Sequence, residues 1–181
     1  MNTRKFKITF LFLFVLVSAF GQTFTLKSNS LSGQATNEMF LNGFGCEGEN
    51  MSPQLTWENP PEATKSFAIT IHDQDAPTDS GFWHWVVFDI PVNINELDKN
   101  ASGKLSEISE DIIESNTDFG APGYGGPCPP KDDSAHRYTI TVYALKVEKL
   151  GLNKDTTPAI VSFYLNNAAI EKASLVFYAK Q

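Results

Sequence analysis

Alternating hydrophobic and polar positions mark several short segments of this chain, each of strand length. Over Ser66–Ile71, Phe67, Ile69 and Ile71 alternate with smaller or polar residues, which predicts a half-buried strand. Trp85–Ile90 is an unbroken apolar run and predicts a strand buried on both faces. From His136 the alternation returns, with Tyr138, Ile140 and Val142 on one face and Thr139, Thr141 and Tyr143 on the other; Ala144 and Leu145 continue it. Thr23–Ser28 and Ala173–Ala179 read as an opening and a closing strand. The period turns helical near the C-terminus. Thr157 is placed as a cap, Pro158 occupies the first helical position, and Ile160, Phe163 and Tyr164 follow at helical spacing. Asn166 or Asn167 is placed to end this helix in a left-handed conformation. Phe163, Tyr164, Phe177 and Tyr178 are expected to pack in the core.

The remaining segments are loops. Gly43–Trp57 is glycine-rich and runs into a short apolar stretch before Pro60 and Pro61 break the chain. Pro91–Ala121 is polar, with an acidic patch at Glu107–Glu114; Ile108, Ile112 and Ile113 form either one face of a short helix or buried points on a surface excursion. No repeat, low-complexity run or linker divides the chain, so residues 22–181 are expected to form one β-rich domain.

Residues 1–21 are expected to stand apart from that domain. Arg4, Lys5 and Lys7 precede the apolar run Ile8–Phe20, which is shorter than the roughly 20 residues that span a bilayer. Ala19 and Gly21 are small residues suited to cleavage before Gln22, the pattern of a secretory signal peptide. The expected mature protein is exported, periplasmic or secreted, with no transmembrane segment. Its charge changes the picture of its partners. Without the three basic residues of the leader, 11 basic residues face 21 acidic ones, a net charge of −10. Such a chain does not bind nucleic acid or an anionic membrane by general electrostatics, so any anion site must be local. Cys46 and Cys128 are candidates for a disulfide in an oxidising compartment, or for two separate small buried residues; spacing does not decide.

Candidate chemistry falls in two clusters. The first, between the two central strands, holds His72, Asp73, Asp75, Ala76, Pro77, Trp83, His84 and Trp85. The second, Asn116–Tyr143, holds a loop with Gly123, Gly125, Gly126, Pro127, Cys128, Pro129 and Pro130, then His136, Arg137 and Tyr138. The aspartates of the first cluster are also ordinary turn residues. Three chemistries are available. His72, Asp73, Asp75, His84 and His136 offer metal ligands, but no recognised ligand spacing links them, so no metal or cofactor is expected. Hydrolysis lacks a G-x-S-x-G elbow, and Cys128 stands between two prolines that supply no N–H to an oxyanion. Anion binding uses every part. A histidine beside a carboxylate is favoured in its charged form, and with a tyrosine hydroxyl and loop N–H groups it can hold a phosphate. Trp83 or Trp85 is expected to supply an apolar wall.

Several motifs in order resemble those of the phosphatidylethanolamine-binding protein family, which includes the Raf kinase inhibitor proteins, and the likeness is to its bacterial and archaeal branch. Asp73-Gln74-Asp75-Ala76-Pro77 resembles the family's D-x-D-A-P, Trp83-His84-Trp85 its W-H-W segment, and Gly126-Pro127-Cys128-Pro129-Pro130 with His136-Arg137-Tyr138 its G-P-x-P-P…H-R-Y. Cys46, Gly48, Asn50, Ser52, Pro53, Leu55 and Trp57 fit a C-x-G-x-N-x-S-P-x-L-x-W pattern, and Asn116–Gly120 resembles N-D-F-G with one insertion. The resemblance implies a mainly β fold, an antiparallel β-sandwich with one or two short C-terminal helices and a small surface pocket. It implies non-catalytic binding of a phosphate-type anion or phospholipid headgroup by Asp73, His84, Trp85, Gly126, Pro127, His136 and Tyr138, with Asp75, Pro77 and Pro129 shaping the loops. Trp85 stands where animal members carry a second pocket histidine. Inhibition of a Raf-type kinase does not carry over to an exported chain. The other role the family suggests is a protein partner, such as a protease or signalling protein, bound outside the pocket.

Overall fold

The computed structural model describes residues 22–181; the expected signal peptide, residues 1–21, lies outside them. Ten strands and two helices follow in order: β1 Thr25–Lys27, β2 Asn42–Gly43, β3 Cys46–Glu47, β4 Leu55–Glu58, β5 Ser66–Asp73, β6 Phe82–Pro91, β7 Glu96–Leu97, α1 Leu105–Ile108, β8 Ile113–Glu114, β9 His136–Leu145, α2 Pro158–Ala168 and β10 Ala169–Ala179. Five strands form an antiparallel sheet in the order β10-β9-β5-β6-β8, and three form a second sheet in the order β1-β4-β7. The mainly β antiparallel sandwich expected from the sequence is the fold observed, with one helix near the C-terminus and a single-turn helix in the Pro91–Ala121 excursion.

The core lies between the two sheets. Phe24, Leu26, Leu55 and Trp57 of the small sheet side meet Phe67, Ile69, Ile71, Trp85 and Val87 of the large sheet, and Trp57 sits edge-on to Phe67 with ring centroids 5.4 Å apart. Each such fully buried side chain contributes about 1.5–3 kcal/mol. A second layer covers the opposite face of the large sheet, where Val161, Leu165 and Ala168 of α2 pack on Ala68, Val86, Phe88 and Tyr143. That layer changes one expectation: β5 is buried on both faces, because its small outward positions, Ala68 and Thr70, lie against this second layer or its rim.

It also corrects the reading of the C-terminal aromatics. The face of α2 that meets the sheet is the Val161–Leu165–Ala168 stripe, so Phe163 and Tyr164 point away and are exposed, as is Tyr178; Phe177 alone of the four is in the core. Thr157 holds the cap position without a side-chain cap bond. The helix does not end on a left-handed asparagine. It passes straight into β10 through Ala169 in extended conformation, while the Asn166 and Asn167 amides donate back to the carbonyls of Ser162 and Phe163, each at 2.8 Å. In the acidic excursion, Ile112 is a buried point and Ile113 belongs to β8.

Two irregularities in the β5–β6 pairing matter downstream. Ile71 opposes Trp85 but His72 opposes Trp83, so His84 is an extra residue in β6. Such a bulge turns successive side chains to the same face. The second lies at Phe88–Asp89, where Asp89 adopts φ 58° and its buried carboxylate accepts the Leu150 N–H at 2.8 Å.

Candidate functional site

Asp73 ends β5 and His136 opens β9, and the antiparallel register sets Asp73 directly across from Tyr138. The D-x-D-A-P turn is fastened to the H-R-Y strand at three points. Asp73 Oδ2 lies 2.8 Å from His136 Nδ1, Asp75 Oδ2 accepts the Arg137 N–H at 2.7 Å, and the Arg137 guanidinium donates to Gln74 Oε1. Asp73 Oδ1 also accepts the Asp75 N–H at 2.9 Å, an Asx turn that fixes the carboxylate. Asp73 and His136 are 3% and 2% exposed, so this pair is withdrawn from water. Burial opposes charge on His136, but the hydrogen bonds and negative charges of Asp73 and Asp133 outweigh it and raise its pKa. Burial, reinforced by the Asp73 charge, pushes the Tyr138 phenol upward, so it remains a neutral hydroxyl.

His84 reaches the same face through the bulge. Its Nδ1 donates to the Gly125 carbonyl at 2.7 Å, and the Gly125 N–H donates to the His84 carbonyl at 2.9 Å. Burial lowers its pKa despite that bond, so the ring is neutral, its proton on Nδ1 and its lone pair on Nε2. His84 therefore offers a ligand an acceptor, whereas the charged form of His136 is favoured by Asp73 and Asp133.

The glycine–proline loop is threaded against the Cys46–Trp57 region. A Cβ at Gly126 would stand 2.0 Å from the Met39 carbonyl oxygen, and one at Gly48 would stand 2.1 Å from that of Phe40, so both positions exclude side chains. Asn50, at φ 56°, clamps the loop with both ends of its amide, accepting from Gly126 N–H at 2.8 Å and donating to the Tyr124 carbonyl at 3.2 Å. Pro127 accepts the Leu41 N–H at 3.0 Å. Cys46 and Cys128 are joined in a disulfide with α-carbons 5.9 Å apart, which settles the alternative left open by their spacing.

These elements enclose a cavity of about 440 Å³. Asp73, His84, His136 and Tyr138 line it, as do Pro77, Cys128 and Pro129, so the two prolines form wall as well as turn. Gly126 and Pro127 do not line it; they hold the loop behind it. Trp85 is a correction. Because it follows the bulged residue it points into the inter-sheet core, fully buried, donating its indole N–H to Glu114 Oε1 at 2.7 Å and meeting Tyr124 edge-on. Trp83 is outside as well, lying on His72 with ring centroids 4.1 Å apart on the other face of the sheet. The apolar wall comes instead from Phe44, Phe82 and Phe119, with Phe82 and His84 each edge-on or tilted against Phe119 at 4.8 and 5.4 Å. Phe119 and Asp118 belong to the N-D-F-G-like stretch, to which no role could be given from sequence; Asp118 Oδ2 accepts the Trp83 N–H at 2.8 Å and so locks that stretch beside β6. Phe44, at φ 51° and 87% exposed, stands at the rim. Among the described residues, no group of three or more His, Cys, Asp or Glu is placed to share a metal ion.

The sequence matches the family described as phosphatidylethanolamine-binding protein over residues 31–180. The chain belongs to the phosphatidylethanolamine-binding protein family. It is 41% identical over 165 residues to YbcL of Escherichia coli, spanning 90% of each chain, and 40% identical over 135 residues to YbhB of the same organism, spanning 75% of this chain and 85% of that one. The crystal structure of YbcL, itself described as a new member of the mammalian PEBP family, superposes with a TM-score of 0.84 over 87% of this chain and 98% of YbcL. A phosphatidylethanolamine-binding protein homologue from Chlamydia trachomatis shares the fold, with a TM-score of 0.72 at 24% identity over 87% of this chain and 97% of that one. In this family member, then, the W-H-W segment supplies one pocket histidine through its central residue, and the third residue belongs to the core.

Proposed function

We propose that this family member is an exported, non-catalytic binding protein whose pocket takes a phosphate-type anion carried on an apolar group, such as a phospholipid headgroup. One observation carries the reading. A buried imidazole, His136, lies 2.8 Å from a buried carboxylate, Asp73, that favours its charged form, at the edge of a cavity walled by Phe44, Phe82 and Phe119. A charged donor beside an apolar wall suits a ligand with an anionic head and an apolar body. Tyr138 adds a neutral hydroxyl, and His84 adds an acceptor for a ligand hydroxyl or ammonium group. The family name supports the same ligand class. Cys128, joined to Cys46 in a disulfide, is not available as a nucleophile.

The test is a titration with phosphate and with phosphoethanolamine, following the histidine ring resonances by NMR near pH 6.5. A saturable shift at His136 in the millimolar range, lost in Asp73→Asn, is the expected result, because a site with so few charged donors binds weakly, at about millimolar Kd. No shift at tens of millimolar ligand would refute it. One observation favours a second reading, a protein partner bound elsewhere: α2 presents Ile160, Phe163 and Tyr164 to solvent. On that reading His136→Ala leaves partner binding intact.

A further inference from the structure

Both ring nitrogens of His136 are already engaged. Nδ1 meets Asp73 Oδ2 at 2.8 Å, and Nε2 meets Asp133 Oδ2 at 3.3 Å. The two carboxylates differ in kind. Asp73 is buried and doubly held, by His136 and by its own turn. The Asp133 side chain is 47% exposed and sits in the loop between Pro130 and His136, three residues before its partner. That loop presents it: the Asp133 N–H donates to the Pro130 carbonyl at 3.1 Å, and Asp133 Oδ1 accepts the Ser134 N–H at 3.2 Å. One oxygen is thus tied to the turn while the other rests on the imidazole. The consequence is electrostatic. Two carboxylates share one imidazole, so the site is net negative whether or not the ring is charged, and neither ring nitrogen of His136 is free.

Building on the reading of the pocket as an anion site, we propose that Asp133 is an internal competitor: its carboxylate occupies the position on His136 Nε2 that a ligand phosphate oxygen takes, and binding requires it to swing out. Asp133 therefore sets the affinity threshold of the pocket. Displacement is feasible because the Asp133 side chain is 47% exposed and its carboxylate can return to water, whereas the buried Asp73 stays in place. The closed form lowers apparent affinity by the fraction of molecules in which Nε2 is free.

The experiment compares the purified wild type with Asp133→Asn and Asp133→Ala. Without ligand, the His136 Nε2 nitrogen resonance is expected to move in both variants, while Nδ1 moves little. Inorganic phosphate titrations at pH 6.5 are expected to give an apparent Kd about five-fold lower in both variants, since this single weak pair is lost together with one repelling charge. Phosphoethanolamine is expected to gain by a similar factor. An unchanged Nε2 resonance, or phosphate affinity equal to or below that of wild type, overturns the proposal while leaving the anion site standing. If neither wild type nor variants bind phosphate or phosphoethanolamine, the anion reading fails and this one falls with it.

Discussion

The buried Asp73–His136 pair makes a prediction that can be worked out in detail. Asp73→Asn keeps a carbonyl oxygen to accept the Asp75 N–H but replaces the oxygen that faces His136 Nδ1 with an amide nitrogen. An amide N–H cannot accept from a protonated Nδ1, so the charged form of His136 loses its main support, and in the neutral ring Nδ1 becomes the acceptor. The pKa of His136 is raised in the native protein, by its bonds to Asp73 and Asp133 working against burial. The linkage therefore has a definite sign. A histidine whose folded pKa lies above the unfolded value of about 6.5 contributes stability that is complete below that value and lost as pH rises through the folded pKa. Wild type should lose stability on going from pH 6 to pH 8, and Asp73→Asn should lose that slope. At pH 8, where the imidazole can deprotonate, the variant should be destabilised by about 1–3 kcal/mol, the cost of one compromised buried hydrogen bond. At pH 5.5 the loss should approach about 3–5 kcal/mol, because a charged ring is then buried without its main partner. Urea unfolding followed by tryptophan fluorescence at several pH values measures both. Equal destabilisation at pH 5.5 and pH 8 would show that His136 is not held charged by Asp73 and would refute the reasoning.

Three further outcomes follow from other parts of the structure. Replacing Cys46 and Cys128 together by serine releases a cross-link between residues 82 positions apart, and should lower unfolding free energy by about 3–5 kcal/mol; an unchanged urea midpoint would show that the bond is not formed in solution. Trp85→Phe removes the indole N–H from Glu114, with an expected loss of about 1–3 kcal/mol, yet phosphate affinity should stay within about two-fold, since Trp85 does not line the cavity; a large loss of binding in a folded variant would return Trp85 to the site. Burial raises the pKa of Asp89, although the Leu150 N–H and Lys149 act against it, so its charged form is the one the fold disfavours. The stability it provides is present below its unfolded pKa of about 3.9 and lost as pH rises through the higher folded value. Asp89→Asn, which tolerates the left-handed φ of 58° and can still accept from Leu150, should therefore be no less stable than wild type at pH 7 in a thermal melt.

Much of the fold follows from local pattern. The alternation from Tyr138 to Val142, the apolar run Trp85–Ile90 and Pro158 at the start of a helix each express a short-range rule; β9 and α2 are where those rules put them, while β6 begins at Phe82, three residues ahead of its apolar run, and takes in Trp83 and His84. The family resemblance assigns Asp73 and His136 to one pocket, and the register between β5 and β9 brings the two side chains together. Other properties depend on contacts distant in sequence. Period alone put Phe163 and Tyr164 in the core, but which stripe of α2 is buried depends on how the helix docks on the large sheet, and there Val161 and Leu165 face Ala68, Val86 and Phe88. No local signal marks the bulge at His84, because one extra residue in a strand is defined only against its neighbour; yet that bulge is what turns His84 to the cavity and sends Trp85 to the core. Phe44, Phe82 and Phe119 come from three separate segments and form a wall only when β6, the N-D-F-G-like stretch and the β2–β3 hairpin close together. The disulfide belongs to the same class, since compartment makes it permissible but only the approach of two loops makes it form. The sequence by itself determined which residues carry charge, aromatic surface and strand propensity; tertiary structure decided which of them face one another, because facing is a property of register and packing between segments far apart in the chain.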